Sequence, residues 1–192
     1  MRSPNALSDR PDRLPVGRGI TPYKVVREKG ELMIETLLPG VQHLQNIHPL
    51  LVHFPIAFLV GATLFYFLAW IFRSNSLATS AFLILILGII SAAAAVGTGL
   101  YAEEGVMVSP SVREHLLETH EQFMLVTLGL TVFLTGWALM ARPFPKKGRW
   151  LFLILFLVLL GIMTVGADNG ARMVYDYNAG GNACSQPIEF TK

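Results

Sequence analysis

Four long stretches without a charged side chain constrain this sequence more than any other feature. They cover residues 54–72, 77–102, 122–141 and 150–167. Each is close to the ~20 residues that an α-helix needs to cross the ~30 Å hydrocarbon core of a bilayer. Because 53% of the residues are hydrophobic and 15% are charged, a soluble fold of buried strands would have almost no polar surface. The stretches therefore predict four transmembrane helices.

The connections between these stretches are short, and this predicts how the helices pack. They comprise residues 73–76, 103–109 and 142–149. Short connections place consecutive helices side by side and antiparallel. The predicted fold class is all-α, a four-transmembrane-helix antiparallel bundle with a polar N-terminal arm and a glycine-rich C-terminal tail.

Two proline-containing dipeptides indicate where helices begin. Ser109-Pro110 combines an N-cap residue with a proline at the first helical position, so the third helix is predicted to begin there. His48-Pro49 predicts a similar start for the first helix. Pro55 then lies about one turn into that helix, where a proline is tolerated with a modest kink.

The sequence outside the bundle divides into an arm and a tail. Residues 1–45 mix both charge signs with proline and glycine, so we expect them to be partly disordered or bound to a partner. Residues 46–182 form the predicted membrane domain and residues 183–192 the tail. The pattern predicts no cleavable signal peptide. The single cysteine, Cys184, excludes an internal disulfide, and without a Cys-x-x-Cys-His motif there is no covalent haem attachment.

The charges in the connections predict the orientation of the bundle. Residues 73–76 and 142–149 contain five basic side chains and no acidic one, whereas residues 103–109 contain two glutamates. The positive-inside rule places the basic connections in the cytoplasm. Both termini and all five histidines are then predicted on the periplasmic side of a bacterial inner membrane.

Four of the five histidines form two similar pairs, each just before an apolar stretch. His48 and His53 precede the first stretch, and His115 and His120 precede the third. Ionisable rings at membrane depth are candidate functional groups. Residues five apart differ by about 140° in azimuth, so one helix cannot direct both of its imidazoles to one point. We predict His53 opposite His120, with His48 and His115 forming a second, shallower site or supporting the first.

A pair of histidines on opposite helices is the arrangement that ligates a b-type haem. Arg113 and Arg172 lie near the same predicted end, where guanidinium groups suit haem propionates, although an interfacial arginine at a membrane boundary is the commoner role. A zinc or copper site built from three or four imidazoles, with Glu118 or Glu121 nearby, is the alternative metal chemistry.

Small residues are frequent in the second apolar stretch, and their spacing favours close packing of neighbouring helices. Room for a flat cofactor is the alternative interpretation. The residues are Gly88, Ala92, Ala93, Gly97 and Gly99.

Three segments together resemble a known family. They are Asn46-Ile-His48-Pro-Leu-Leu-Val-His53-Phe-Pro55, the His115/His120 pair, and Gly-Ala-Arg172-Met-Val-Tyr175. They are similar to the bacterial four-helix membrane domain known as domain of unknown function 2231, over about residues 46–182. The resemblance implies an association with c-type cytochrome modules, and hence respiratory electron transfer and haem binding. The ending that follows Tyr175 departs from the Tyr-x-x-Gly-x-Gly type found in similar domains.

The sequence thus predicts a b-type haem protein or accessory subunit, with one haem b or two, that passes electrons to a partner on the outer side. The expected partners are the lipid bilayer, a c-type cytochrome or other redox protein, and a quinone, with no nucleic acid. An electron-transfer subunit is favoured over a stand-alone enzyme, since no hydrolase motif is present. The alternatives are a cofactor-free structural or assembly subunit and a protein that uses a histidine-bound transition metal.

Overall fold

The computed structural model of the chain describes residues 47–106, 108–141 and 143–179. Four helices in this part are long and apolar enough to cross a membrane. We call them spans 1 to 4, and their bounds are His48–Phe72, Asn75–Glu103, Pro110–Ala141 and Arg149–Tyr175. The predicted all-α four-helix architecture is confirmed. The predictions for residues 1–45 and for the tail around Cys184 lie outside the described residues.

Span 1 begins where the sequence predicted. A short helix, His48–Leu51, has proline in its first turn and is followed after Val52 by the main helix, His53–Phe72. Pro55 lies in this main helix and cannot donate the hydrogen bond that would reach the carbonyl of the residue four positions earlier. The interruption of the helix at Val52 follows from that missing donor.

Span 3 also begins as predicted and then contains an irregular turn. The hydroxyl of Ser109 accepts from the backbone N–H of Val112, with Pro110 at the first helical position. Residues Arg113–Leu117 form a π-helical turn, and the α-helix Glu118–Ala141 follows. Such a turn inserts one extra residue and therefore rotates everything before it relative to everything after it.

Each span packs most closely on its neighbours in sequence, and span 4 also returns to span 1. Spans 1 and 3 are therefore diagonally opposite in the bundle. The core is centred on Tyr66, Phe152 and Phe156, whose rings are 5.1–5.2 Å apart. The hydroxyl of Tyr66 donates to the backbone carbonyl of Pro143, which fixes the start of the last connection to span 1.

The outer surface of the bundle is apolar, as expected of a protein that is surrounded by lipid. Large hydrophobic side chains are exposed on every span, among them Val60, Leu83, Ile90, Phe133 and Leu151. The interior, in contrast, contains buried hydroxyl groups. Three threonines of span 3 each donate to the carbonyl four residues earlier, which satisfies them without a second helix: Thr127, Thr131 and Thr135.

Candidate functional site

Two of the predicted site histidines meet across the diagonal of the bundle. The ring centres of His48 in span 1 and His120 in span 3 are 6.4 Å apart, with an angle of 84° between the ring planes. Both side chains are partly buried. The expectation that imidazoles of spans 1 and 3 converge at one end of the bundle is met by this pair. We call this end of the bundle the histidine end.

Hydrogen bonds to a neighbouring span hold each of these rings. Nδ1 of His48 lies 2.9 Å from the carbonyl oxygen of Ala95 in span 2, and Nδ1 of His120 lies 2.7 Å from that of Gly166 in span 4. A carbonyl oxygen can only accept, so Nδ1 is the protonated nitrogen and the donor in both rings. In the neutral imidazole the lone pair then resides on Nε2, which is the tautomer of a histidine that ligates a metal through Nε2.

Glycine residues leave room for the two rings against the helices that hold them. A Cβ atom on Gly99 would lie 2.9 Å from Cε1 of His48, and one on Gly170 would lie 3.0 Å from Cε1 of His120. Separations this short are closer than van der Waals contact allows. Gly99 and Gly170 therefore permit each ring to lie directly on the backbone of the neighbouring span.

The two halves of the site have the same construction. Each ring donates to a carbonyl 46 or 47 residues further along the chain, and each lies on a glycine four residues beyond that carbonyl. Spans 1 and 2 thus present one imidazole, and spans 3 and 4 present an equivalent one. The sequence contains a signal for this arrangement, since Ala95-x-x-x-Gly99 and Gly166-x-x-x-Gly170 occupy matching positions near the ends of spans 2 and 4.

The other two predicted histidines do not join this pair. His53 is exposed. His115 lies in the π-helical turn, is also exposed, and donates from Nδ1 to the carbonyl of Ser111 in its own span. The ring beside that of His120 is therefore that of His48, whereas the sequence predicted a pairing of His53 with His120.

The two arginines near the histidine end each bind a carboxylate of this chain. Arg113 donates to the carboxylate of Glu103 at 2.8 Å, and this pair joins the end of span 2 to the start of span 3. Arg172 lies 3.7 Å from Asp176 in the next turn of its own helix. Their role toward haem propionates stays a prediction.

The small residues of span 2 have two roles. Some allow close packing with span 1, and Gly99 leaves room for the ring of His48. Gly88 is buried against Leu59 of span 1, so the close-packing interpretation holds there. Gly97 has no neighbouring side chain within 4 Å of the position that a Cβ would take. Gly99 is the one beneath His48.

The donor set indicates which metal chemistry the site suits. Within the described ranges, no group of three or more histidine, cysteine, aspartate or glutamate side chains is placed to hold a metal ion. A protein zinc site needs three or four such ligands. Two imidazoles suit haem iron, because the porphyrin supplies the four equatorial nitrogens.

The fold and the site define a four-span membrane protein with paired imidazoles at one end of the bundle. The model of the family described as predicted membrane protein (DUF2231) matches residues 44–183. The chain belongs to this family, and the resemblance seen in the sequence is confirmed. No curated protein and no solved structure matches the chain.

Proposed function

We propose that this protein is an integral membrane b-type haem protein, or an accessory subunit of a respiratory electron-transfer complex, in which His48 and His120 would hold the haem. The observation that carries the proposal is the pair of imidazoles from diagonal spans, 6.4 Å apart, with both Nδ1 atoms bonded to backbone carbonyls. Nε2 of each ring is then the ligating atom.

Backbone carbonyls around the two rings fix each imidazole in the tautomer that leaves Nε2 available as a ligand. A carbonyl that accepts from Nδ1–H fixes the tautomer and the orientation of the ring, and it makes Nε2 a stronger ligand. Because the two rings are held in the same way, each would present its Nε2 to the haem iron. A haem held by His48 and His120 would supply a one-electron couple, which is the chemistry of electron transfer.

The location and the partners are part of the same proposal. The histidine end faces the periplasm of a bacterial inner membrane, because the basic connections lie at the opposite end. A site near one face of the bilayer does not carry electrons across it alone. The partners are a c-type cytochrome or another redox protein on the outer side, with a quinone as the other donor or acceptor.

Single substitutions of the four histidines test the proposal. The full chain is expressed with an adequate haem supply, purified, and examined by reduced-minus-oxidised absorption spectroscopy. We expect an α band of b-type haem in the natural protein, its loss in His48→Ala and His120→Ala, and its retention in the matched controls His53→Ala and His115→Ala. A natural protein without an α band, or loss of the band in His53→Ala alone, would contradict the ligand assignment.

A cofactor-free structural role is the second candidate function. The observation in its favour is that each imidazole already connects two spans through its bond to a backbone carbonyl. In this case purified protein contains no iron, and His48→Ala and His120→Ala reduce stability or complex assembly only. Elemental analysis combined with a haem assay separates iron in haem, another histidine-bound metal, and no metal at all.

A further inference from the structure

A groove lies between spans 2 and 3 at the end of the bundle opposite the histidines. Its lining is mostly apolar, and its volume is about 320 Å³, near the lower limit of the ~300–1,000 Å³ typical of ligand pockets. The lining residues are Thr79, Phe82, Ala138, Leu139 and Pro143. Thr79 lies in the second turn of span 2 and Pro143 follows the last turn of span 3, so the groove opens just inside one membrane boundary.

The chain around the mouth of this groove is basic. Arg73 precedes span 2, while Lys146 and Lys147 follow Pro143 in the connection that forms part of the lining, and all three side chains are exposed. The segments 73–102 and 122–167 contain no acidic residue. In the described part of the chain these three cations have no carboxylate partner.

Arg149 differs from these three cations. Its Nε donates to the carbonyl of Pro145, and its guanidinium carbon lies 4.9 Å from the centre of the Phe144 ring. This side chain is therefore held against its own connection. Lys146 and Lys147 remain to bind an anion beside the groove.

We propose that this groove binds an anionic phospholipid, with an acyl chain along Phe82 and Leu139 and the phosphate group at Lys146 and Lys147. A lipid-facing apolar groove is filled by acyl chains, since no water is available at that depth. Basic clusters between spans at a membrane boundary select anionic headgroups. The N-terminal end of span 2 adds partial positive charge at the same boundary.

The site is independent of the histidine pair, and its test needs no haem. The full chain is reconstituted into nanodiscs of phosphatidylcholine with a minor fraction of phosphatidylglycerol, and the lipids that remain bound on release are counted by native mass spectrometry. We expect the natural protein to retain phosphatidylglycerol in preference to phosphatidylcholine. Each lysine should contribute about fivefold to this preference, since a basic residue near an anionic surface contributes about 1 kcal/mol.

Two pairs of variants separate the headgroup from the groove. Lys146→Gln with Lys147→Gln should remove the preference for phosphatidylglycerol, whereas Lys146→Arg with Lys147→Arg should keep it. Thr79→Trp fills the groove and should reduce the amount of either lipid retained. Its matched control is Thr164→Trp, because both threonines are exposed and each donates to the carbonyl four residues earlier.

Three results would overturn the proposal. The first is equal retention of the two lipids by the natural protein. The second is a preference that survives the double glutamine substitution. The third is a loss of bound lipid in Thr164→Trp as large as that in Thr79→Trp, which would place the lipids on the general surface of the bundle.

Discussion

The rings of His48 and His120 each lie against a glycine, and a side chain at either glycine position would collide with the ring. Because a Cβ on Gly99 would be 2.9 Å from His48 and one on Gly170 would be 3.0 Å from His120, we expect Gly99→Ala and Gly170→Ala to displace the rings. Overpacking of this kind costs about 1–3 kcal/mol. Each variant should shift or weaken the haem α band and lower the midpoint of thermal unfolding, as measured on the purified protein.

Gly97→Ala is the matched control for these two substitutions. It lies in the same span as Gly99, and a Cβ there has no neighbour within 4 Å. Replacing a helical glycine by alanine without a clash favours the helix by up to about 1 kcal/mol. An unchanged spectrum is therefore expected. If Gly97→Ala and Gly99→Ala behaved alike, the glycines would not act through the histidine rings.

Arg113 and Glu103 form an ion pair whose side chains are 39% and 30% exposed. Exposed ion pairs contribute about 0.2–1 kcal/mol, so Arg113→Ala should lower the free energy of unfolding by no more than that. We expect its haem content to be unchanged, because the guanidinium is already bonded to Glu103. Arg172→Ala, which breaks only the longer pair with Asp176, should have a smaller effect. Loss of haem in Arg113→Ala would instead indicate a role in holding a propionate.

The sequence predicted that imidazoles of spans 1 and 3 meet, and it paired His53 with His120, whereas the ring beside His120 is that of His48. Hydropathy measures how deep a residue lies along a span, and by depth His53 matches His120. Azimuth decides which ring faces the centre of the bundle, and a five-residue spacing rotates it by about 140°. The π-helical turn Arg113–Leu117 changes the azimuth further between His115 and His120, and it has no signal in the hydropathy.

At the scale of the helices, the apolar pattern predicted where each span lies but not how far each helix extends. The fourth uncharged stretch stops at residue 167, but the helix that contains it continues to Tyr175. The amide of Asn169 donates to the carbonyl of Val165 and so lies within the helix. A helix that emerges from the hydrocarbon region needs no apolar side chains, so hydropathy does not mark its end. Where local capping exists, as at Ser109-Pro110, the boundary was predicted correctly.

Close packing of spans 1 and 2 depends on Gly88. A Cβ at this position would lie 2.9 Å from Cδ2 of Leu59. We therefore expect Gly88→Ile to force the two helices apart and to lower the free energy of unfolding in detergent by about 1–3 kcal/mol or more. Gly129→Ile is the control, because a Cβ there meets nothing within 4 Å. Equal stabilities of the two variants would show that the contact between Gly88 and Leu59 does not determine how closely spans 1 and 2 pack.

At the scale of the whole molecule, the bundle consists of two helix pairs that each present one imidazole at the same end. The proposed haem site lies at the histidine end, and the basic connections and the groove between spans 2 and 3 lie at the other end. The function proposed for the histidine pair therefore depends on which side of the membrane that end faces.

Reporter insertions test this orientation. Alkaline phosphatase is active only outside the cytoplasm, so it should be active when inserted at Gly105, in the connection at the histidine end, and inactive when inserted at Gly148. Green fluorescent protein should give the opposite result at the two positions, which controls for failure to express. The physical reason is that the connections at the opposite end contain all the basic residues of the short loops, and these are retained in the cytoplasm. Phosphatase activity at Gly148 alone would reverse the orientation. The redox partner would then be a cytoplasmic protein, while the bundle and the two carbonyl-bonded imidazoles would be unchanged.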